Sequence, residues 1–282
     1  MKDEGLPAEG RIHYIFSVDN ISYSYPEGQC ALDGITFSIA AGESVVLLGA
    51  NACGKSSLLQ VLDGLIFPNS GSISAFGEPL TQQRLQAAAF SQQFRRKVGL
   101  VFQEAEAQLF CPTVKDEIAF GPLQLGMTQP QVLARVEEML KLSGLSDSGD
   151  RAPYNLSGGE KKKVALACVL AVEPEVLLLD EPTGGLDPRS QTWLIETLLQ
   201  LREAGKTLIT ATHDLSIVEE IADRVLVMGE DHKLWAEGTP QKILDDLDLL
   251  LAVNLIHEHD HAHGELRHKH PHAHFMPHEH EH

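Results

Sequence analysis

The feature of this sequence that most restricts its fold is an apolar run that leads into a short, glycine-containing loop. The run covers residues 44–48, and the loop after it reads GANACGKS at positions 49–56. This loop matches the pattern G-x-x-x-x-G-K-[S/T], in which backbone N–H groups ahead of a helix surround the phosphates of a nucleotide. In such a loop Lys55 reaches the β- and γ-phosphates, and Ser56 holds Mg²⁺. The predicted nucleotide contacts are Gly49, Ala50, Asn51, Ala52, Cys53, Gly54, Lys55, Ser56 and Ser57.

Later apolar runs extend this unit to an α/β fold. Residues 176–179 and 207–210 are buried-strand candidates that each follow a helical stretch, and this alternation is typical of a parallel sheet with crossover helices. Residues 12–39 contain segments that alternate apolar and polar positions, which predicts an antiparallel β region. A helical region at about residues 104–165 predicts an inserted subdomain. The predicted fold class is α/β, with a parallel nucleotide-binding core, an N-terminal antiparallel β region and an inserted helical subdomain.

Composition excludes several function classes. Lys and Arg total 22 against 40 Asp and Glu, and the formal net charge of -18 argues against a protein that binds nucleic-acid backbones.

The four cysteines contain no CxxC pair, so the sequence predicts neither a zinc ribbon nor a disulfide framework, and a reducing cytosol fits best. The first ten residues lack the apolar core of a signal peptide, and the longest apolar stretch is interrupted by Asp248 and Asn254. We therefore expect a chain that is neither secreted nor membrane-spanning.

Two further motifs carry chemistry. Asp180 and Glu181 directly follow the run 176–179, where one carboxylate can bind Mg²⁺ and its neighbour can orient or deprotonate a water molecule. The segment LSGGE at residues 156–160 offers a hydroxyl group and exposed backbone amides at the start of a helix. On its own, each motif has an ordinary structural interpretation, as a solvated turn or as a helix N-cap.

Together with residues 49–56, these two motifs resemble those of the ATP-binding subunits of ATP-binding-cassette (ABC) transporters. The resemblance covers about residues 12–240, which we take as one ATP-binding domain, and it implies an ATPase that uses ATP and Mg²⁺. It also implies a homodimer or a pair of related ATPases, because a signature motif so far along the chain from the phosphate loop has a catalytic role only if it meets phosphate in trans.

The resemblance assigns roles to individual residues. Tyr25 corresponds to the aromatic residue that stacks on adenine, and Gln103 to the loop glutamine that approaches Mg²⁺ and the γ-phosphate. Glu181 corresponds to the catalytic base, His213 to the histidine that contacts the γ-phosphate, and Asp187 to a loop that communicates across a dimer. The implied catalytic residues are Glu181, His213, Gln103 and Lys55, the implied Mg²⁺ ligands are Ser56, Gln103 and Asp180, and the implied contacts with the nucleotide of a partner chain are Ser157, Gly158 and Gly159.

A closer resemblance narrows the expected function. Residues 101–104, 108–110, 112–114 and 119–122 are similar to the ATPases of energy-coupling-factor importers, particularly the cobalt and nickel branch. This similarity implies a peripheral subunit at the cytoplasmic face of the membrane, whose integral membrane partners contact residues 103–126. An importer of another small substrate such as a vitamin, and a soluble ABC ATPase outside transport, stay open.

The chain departs from the family pattern at two positions. Ala52 stands where the loop usually has glycine, which readily adopts positive φ. Lys163 stands where arginine is common, and lysine lacks the bidentate contacts of a guanidinium group. The structure of the loop decides whether Ala52 adopts the conformation that glycine would favour.

The C-terminal end has a composition of its own. A helix over residues 241–256 is predicted to lead into a flexible tail, residues 257–282, which contains 11 of the 14 histidines. The histidines alternate with other residues, unlike the uninterrupted run of a purification tag. Neutral imidazole is a ligand for Ni²⁺ and Co²⁺, so the tail is a candidate site for these ions, while a merely solvated tail, or a tail whose metal binding is the main function, stays open. The candidate ligands are His257, His259, His261, His263, His268, His270, His272, His274, His278, His280 and His282.

Overall fold

The computed structural model describes the backbone of residues 13–263 and 266–273 and the side chains of residues 13–256. The strands are β1 (Tyr14–Ser24), β2 (Cys30–Ala40), β3 (Ser44–Leu48), β4 (Ser70–Ala75), β5 (Glu78–Pro79), β6 (Val98–Val101), β7 (Val176–Asp180), β8 (Thr207–Thr212), β9 (Arg224–Met228), β10 (Leu234–Gly238), β11 (Ile256–His263) and β12 (Leu266–Ala273). The helices are α1 (Lys55–Leu62), α2 (Gln82–Leu85), α3 (Ala88–Lys97), α4 (Val114–Gln124), α5 (Gln129–Leu142), α6 (Gly158–Leu170), α7 (Pro188–Glu203), α8 (Val218–Ile221), α9 (Pro240–Leu244) and α10 (Leu247–Ala252).

A six-stranded sheet forms the centre of the fold, with the strand order β10-β9-β3-β8-β7-β6. Its strands run parallel except for β10, which pairs antiparallel with β9 at one edge. β3 and β7 are buried along their whole length, and for this reason they appear in the sequence as continuous apolar runs. The predicted α/β core with a parallel sheet is confirmed.

The N-terminal residues form a second, antiparallel sheet with the strand order β2-β1-β4-β5. Within the pairing of β1 and β2, Val18 lies opposite Phe37 and Ile21 lies opposite Ile35. These four side chains belong to one buried cluster that also contains Leu58 of α1 and apolar residues of the central sheet. The predicted antiparallel region is confirmed, and its buried side chains join it to the nucleotide-binding core.

The middle region of the chain is helical and has its own buried cluster. Ile118 of α4, Val136 of α5 and Leu166 of α6 pack together with Leu177 and Leu179 of β7. The inserted helical subdomain of the predicted fold is therefore present as helices packed against the end of the central sheet where β7 lies. The subdomain bounds, at about residues 104–165, stay a prediction.

The C-terminal residues differ from the single helix predicted over residues 241–256. The structure has two short helices, α9 and α10, because the Asp246 side chain accepts a hydrogen bond from the Leu249 N–H and so starts a new helix. Leu250, Val253 and Ile256 are buried in a third cluster with strands β3 and β9. The segment is therefore fastened to the central sheet.

For part of the histidine-rich tail, the structure describes the backbone. Residues of β11 and β12 form an antiparallel pair over Ile256–His263 and Leu266–Ala273, where the sequence predicts a flexible tail. The alternation of histidine with other residues has the period of two that a strand requires. The candidate ligands His274, His278, His280 and His282 lie outside the described residues. Among the helices within residues 13–263, none is long and apolar enough to cross a membrane.

The loop between β3 and α1 contains two residues with positive φ, Ala52 at 64° and Gly54 at 112°. Ala52 therefore adopts the left-handed conformation that glycine favours, although alanine carries a Cβ. At Gly54 an added Cβ would lie 2.2 Å from the carbonyl oxygen of Ala31 on β2. The close approach of β2 to this loop requires glycine at position 54.

Replacing Gly54 with alanine should destabilise the protein more than replacing Gly28, which also has positive φ but has no neighbouring atom within 4 Å of an added Cβ. Positive φ alone costs about 1–2 kcal/mol for alanine, so Gly28→Ala measures that cost. We expect Gly54→Ala to lower the free energy of unfolding by at least about 1 kcal/mol more, measured by urea unfolding. Equal losses in the two variants would show that the contact with Ala31 does not constrain the loop.

Candidate active site

The carboxyl ends of three parallel strands bring the predicted site residues to one edge of the central sheet. β3 leads into the phosphate loop and Lys55, β7 ends at Asp180 and is followed by Glu181, and β8 ends at Thr212 and is followed by His213. In the sheet, β8 lies between β3 and β7. Open α/β sheets bind their ligands outside this carboxyl edge.

An open cleft of about 430 Å³ lies at this edge. It brings together Lys55, Gln103, Glu181 and His213, the four residues to which the family resemblance assigns catalysis. The assigned roles themselves stay predictions. The residues that line the cleft are Tyr25, Gln29, Cys30, Ala31, Asn51, Ala52, Gly54, Lys55, Ser56, Ser57, Gln103, Glu181, His213 and His232.

The Lys55 ammonium group is buried within the phosphate loop. Its Nζ donates hydrogen bonds to the carbonyl oxygens of Gly49 (2.8 Å) and Ala50 (3.0 Å), and it lies 3.4 Å from Oε1 of Glu181. A buried ammonium group needs partners of this kind, because it has lost its hydration. The arrangement holds a positive charge at the position where the loop amides would receive phosphate.

The Glu181 carboxylate is buried and held by residues at the end of β8. Its Oε1 lies 2.9 Å from Nδ1 of His213, and its Oε2 accepts a hydrogen bond from Oγ1 of Thr212 (3.3 Å). The backbone of Glu181 has a φ of 43°, a conformation that costs energy for a residue other than glycine. A strained residue with an oriented carboxylate facing a cleft is a suitable general base.

The oxygens of Asp180 and Ser56 fit a magnesium ion. Oδ1 of Asp180 is buried and has no hydrogen-bond partner among the described residues. Burial and the nearby Glu181 charge raise the pKa of the Asp180 carboxyl, while the Ser56 hydroxyl and the Lys55 charge act in the opposite direction. A buried oxygen without a partner is costly, and Mg²⁺ binds carboxylate and hydroxyl oxygens. Ser56 and Gln103 line the cleft, whereas Asp180 is not among its lining residues, and the Gln103 side chain can add a further oxygen ligand.

The structure ties Tyr25 to the nucleotide-binding loop. Its hydroxyl group lies 2.9 Å from Oγ of Ser57 on α1, and its ring packs edge-on against Tyr23 with 5.1 Å between ring centres. The ring therefore has a defined position on the wall of the cleft. Stacking of this ring on adenine stays a prediction.

Two polar residues of the cleft carry no signal in the sequence. Gln29 lies just before β2, and His232 lies in the turn between β9 and β10, where its Nδ1 is 3.2 Å from the carbonyl oxygen of Cys53. The antiparallel sheet and the edge of the central sheet bring these residues next to the phosphate loop. Neither belongs to a motif with a recognisable spacing, so only the fold reveals them.

The signature residues lie elsewhere on the chain. Ser157 caps α6: its Oγ accepts a hydrogen bond from the Glu160 N–H (3.3 Å), and the Glu160 carboxylate accepts one from the Ser157 N–H (2.8 Å). The hydrogen bonds that the Ser157 N–H and the Ser157 hydroxyl donate to the Glu160 carboxylate lower its pKa. An added Cβ at Gly158 would meet nothing within 4 Å, so this helix end is open. Ser157, Gly158 and Gly159 are absent from the lining of the cleft around Lys55.

The signature helix is linked to the loop that follows Glu181. Nζ of Lys162 donates hydrogen bonds to the carbonyl oxygens of Glu181 (3.1 Å) and Pro182 (3.3 Å). Asp187 caps α7 by accepting hydrogen bonds from the N–H groups of Arg189 and Ser190, both at 3.1 Å. An added Cβ at Gly159 would lie 2.9 Å from Oγ of Ser190, so the starts of α6 and α7 are in close contact.

Within the described part of the chain, no three histidine, cysteine or acidic side chains are grouped so that they could hold a metal ion. The side chains of the histidine-rich tail lie outside that part. Binding of Mg²⁺ by Asp180, Ser56 and Gln103 stays a prediction.

Comparisons with known proteins identify the family to which the chain is similar. The family model described as ABC transporter matches residues 32–184. A putative ABC transporter ATP-binding protein of Methanosarcina acetivorans is 51% identical over 271 residues, which cover 95% of this chain and 98% of the relative. The nickel import ATP-binding protein of Rhodobacter capsulatus is 47% identical over 244 residues, which cover 86% of this chain and 95% of the relative.

A solved structure of an ATP-binding cassette has a similar fold. The chain resembles the dimeric structure of a post-hydrolysis state of the ATP-binding cassette MJ0796, bound to ADP and Pi, with a TM-score of 0.72 and 26% identity. The similarity covers 80% of this chain and 98% of that one. These comparisons confirm the family resemblance and the ABC ATPase fold that the sequence predicts.

Replacing Glu181 with glutamine should separate nucleotide binding from hydrolysis. The amide keeps the shape of the carboxylate but cannot accept a proton, so ATP binding should persist while turnover falls by about 10²- to 10⁴-fold. The measurement is phosphate release together with ATP binding, with Glu196→Gln on the exposed face of α7 as the matched control. Near-normal turnover in Glu181→Gln would contradict its role as the base.

Proposed function

The chain belongs to the ABC transporter family as an ATP-hydrolysing subunit, and from this membership we propose that it powers the import of nickel or cobalt ions through a membrane complex. The main observation that supports nickel or cobalt as the substrate is the similarity to a nickel import ATP-binding protein, which extends along most of both chains. The similarity of residues 101–122 to the cobalt and nickel branch of energy-coupling-factor importers agrees with it.

The residues of the cleft have distinct roles in the proposed hydrolysis. Lys55 and the loop amides bind the phosphates, and Glu181 accepts a proton from the water that attacks the γ-phosphorus. His213 and Thr212 hold the carboxylate of Glu181 in position. When bound, Mg²⁺ held by Ser56, Asp180 and Gln103 supplies positive charge beside the phosphates.

The active unit in this proposal is a dimer, homomeric or formed with a related ATPase. The open start of α6 at Gly158 is an anion site of the kind that helix N-termini provide, but it does not line the cleft of its own chain. In a dimer, the signature residues Ser157–Gly159 of one chain would close on the nucleotide held by the other. The similarity to a dimeric cassette supports this arrangement.

The proposed membrane contact is an exposed aromatic patch near Gln103. The rings of Phe110 and Phe120 meet edge to face with 4.9 Å between their centres, although 67% of Phe110 and 42% of Phe120 are exposed. The buried carboxylate of Glu117 accepts hydrogen bonds from the N–H groups of Phe110 (2.9 Å) and Cys111 (2.6 Å), which fixes the loop. Exposed aromatic residues held in place are typical of a protein interface. Contact with integral membrane subunits here would keep the chain at the cytoplasmic face.

The histidine-rich tail is part of the proposal as a binder of imported metal ions. Neutral imidazole binds divalent ions in the order Co²⁺ < Ni²⁺ < Cu²⁺ > Zn²⁺, so the tail would collect metal without choosing nickel or cobalt. The relative from Methanosarcina acetivorans matches 95% of the chain, which is only possible if the match continues into residues 257–282. This extent favours a natural segment over a purification tag.

Two alternatives make different predictions. An importer of a vitamin or another small substrate would use the same ATPase site, and the membrane subunits that copurify with the chain would reveal it. A soluble ABC ATPase that acts on nucleic acid would copurify with RNA instead of membranes, and the net charge of -18 argues against it.

Mixing two inactive variants should partly restore hydrolysis if the site is composite. Lys55→Ala damages the phosphate loop and Ser157→Ala damages the signature, so a mixed dimer contains one intact site and one site with both defects. We expect phosphate release by the mixture to exceed that of either variant alone. Activity that merely averages the two parent variants at every mixing ratio would count against assembly in trans.

Removing the aromatic patch should uncouple the chain from the membrane. We expect Phe110→Ser with Phe120→Ser to release the chain from the membrane fraction and to reduce Ni²⁺ and Co²⁺ uptake by cells to the background, with ATP binding unchanged. Leu133→Ser on α5 is the matched control, because Leu133 is 63% exposed and lies outside residues 103–126.

Uptake by cells with the unaltered chain distinguishes the substrates. Ni²⁺ or Co²⁺ uptake that disappears in the double variant and persists in the Leu133 control supports metal import. Membrane binding without uptake of either ion would overturn the metal substrate and favour the importer of another small molecule. Unchanged membrane binding in the double variant would overturn the proposed docking patch.

A further inference from the structure

The strand pair β11–β12 gives the histidines an arrangement that their spacing alone does not specify. In its register, His257 lies opposite His272, His259 lies opposite His270, and His261 lies opposite His268. Three successive alternate positions of the pair are therefore occupied by histidine on both strands. The pattern requires both the period of two within each strand and this particular alignment of the strands.

The positions between these pairs carry different residues. Glu258 lies opposite Pro271, and Asp260 lies opposite Lys269. Successive residues of a strand alternate between the two faces, so the histidine pairs share one face and these residues occupy the other. Opposite charges at facing positions, such as Asp260 and Lys269, favour this register, and a shift of one residue would place every histidine opposite a residue of another type.

We propose that the facing histidines form a site for a divalent transition-metal ion that is ligated from both strands. This inference deepens the metal binding proposed above for the tail and rests on it. Facing residues of an antiparallel pair are about 4.5–5.5 Å apart at Cα, and the next pair on the same face is about 6.8 Å further along. Two neighbouring pairs thus place four histidines within a short stretch of one face, and an ion bound there would take imidazole nitrogens at about 2.0–2.1 Å.

The position of the strand pair gives this site a fixed attachment. β11 begins at Ile256, which is buried with Leu250 and Val253 in the cluster that contacts β3 and β9. The strand therefore continues from the core without a linker. An ion held by both strands stabilises their pairing, because metal binding to an assembled site adds to the stability of the folded state.

Two double variants of the full chain test the register, because each removes two histidines. His257→Gln with His272→Gln removes one facing pair and leaves two neighbouring pairs intact. His257→Gln with His268→Gln breaks two pairs and leaves only His259 opposite His270. Both variants keep the same number of histidines. If the tail binds Ni²⁺ only through that number, the two variants should therefore have the same affinity for Ni²⁺.

The measurement is calorimetric titration of Ni²⁺ into each variant, the unaltered chain and a chain that ends at Ile256. We expect the variant with two intact pairs to bind Ni²⁺ nearly as tightly as the unaltered chain. The other variant should bind at least about tenfold more weakly, the size of effect expected when a metal site loses supporting groups. Equal Ni²⁺ affinities in the two double variants would overturn the register-dependent site while leaving metal binding by the tail intact. If the chain that ends at Ile256 binds as many ions as the full chain, both the site and the tail's proposed role fail, whereas the ATPase assignment stands.

Discussion

The site depends on a buried ion pair between Lys55 and Glu181, whose charged atoms lie 3.4 Å apart. These residues follow β3 and β7, which are not neighbours, because β8 lies between them in the sheet. Removing two charges from water costs roughly several kcal/mol per ion, so each charge needs additional partners. Lys55 obtains them from loop carbonyl groups, and Glu181 obtains them from Thr212 and His213 at the end of β8. The pair therefore requires that the ends of three strands come together, and the cleft is the result.

Three residues that line the cleft have a strained backbone conformation. Ala52, Glu181 and His232 all have positive φ although none is glycine, and all three line the cleft. Such conformations persist only where the surrounding structure determines them, and they cluster at functional sites. Ala52 adopts the left-handed conformation that glycine favours despite its Cβ. The departure from the family pattern therefore adds an energetic cost at a positive φ that glycine adopts freely.

The sequence predicts the parts of the site that follow from local order along the chain. A buried strand ends where its polar residues begin, so Asp180, Glu181 and His213 could be placed at the carboxyl edge of a sheet before the structure was known. Features that depend on distant segments could not be predicted. His232 reaches the phosphate loop only because β9 lies beside β3. The break between α9 and α10 has a different origin, because the Asp246 cap that causes it is local and was missed in the apolar run of the predicted helix. The alignment of histidines across β11 and β12 depends on a register that composition does not contain.

The loop between the cleft and the aromatic patch is fastened at both ends. Next to the cleft, the Gln108 side chain donates a hydrogen bond to the Leu100 carbonyl oxygen and accepts one from the Phe102 N–H, both at 3.0 Å, directly before Gln103. At the other end, Glu117 binds the backbone of Phe110 and Cys111. These contacts hold the segment in place, because displacing either end would break hydrogen bonds at a buried carboxylate or at the end of β6. The same short segment therefore joins Gln103 at the cleft to the exposed ring of Phe110, so the proposed membrane contact would be linked to the nucleotide site through an ordered stretch of chain.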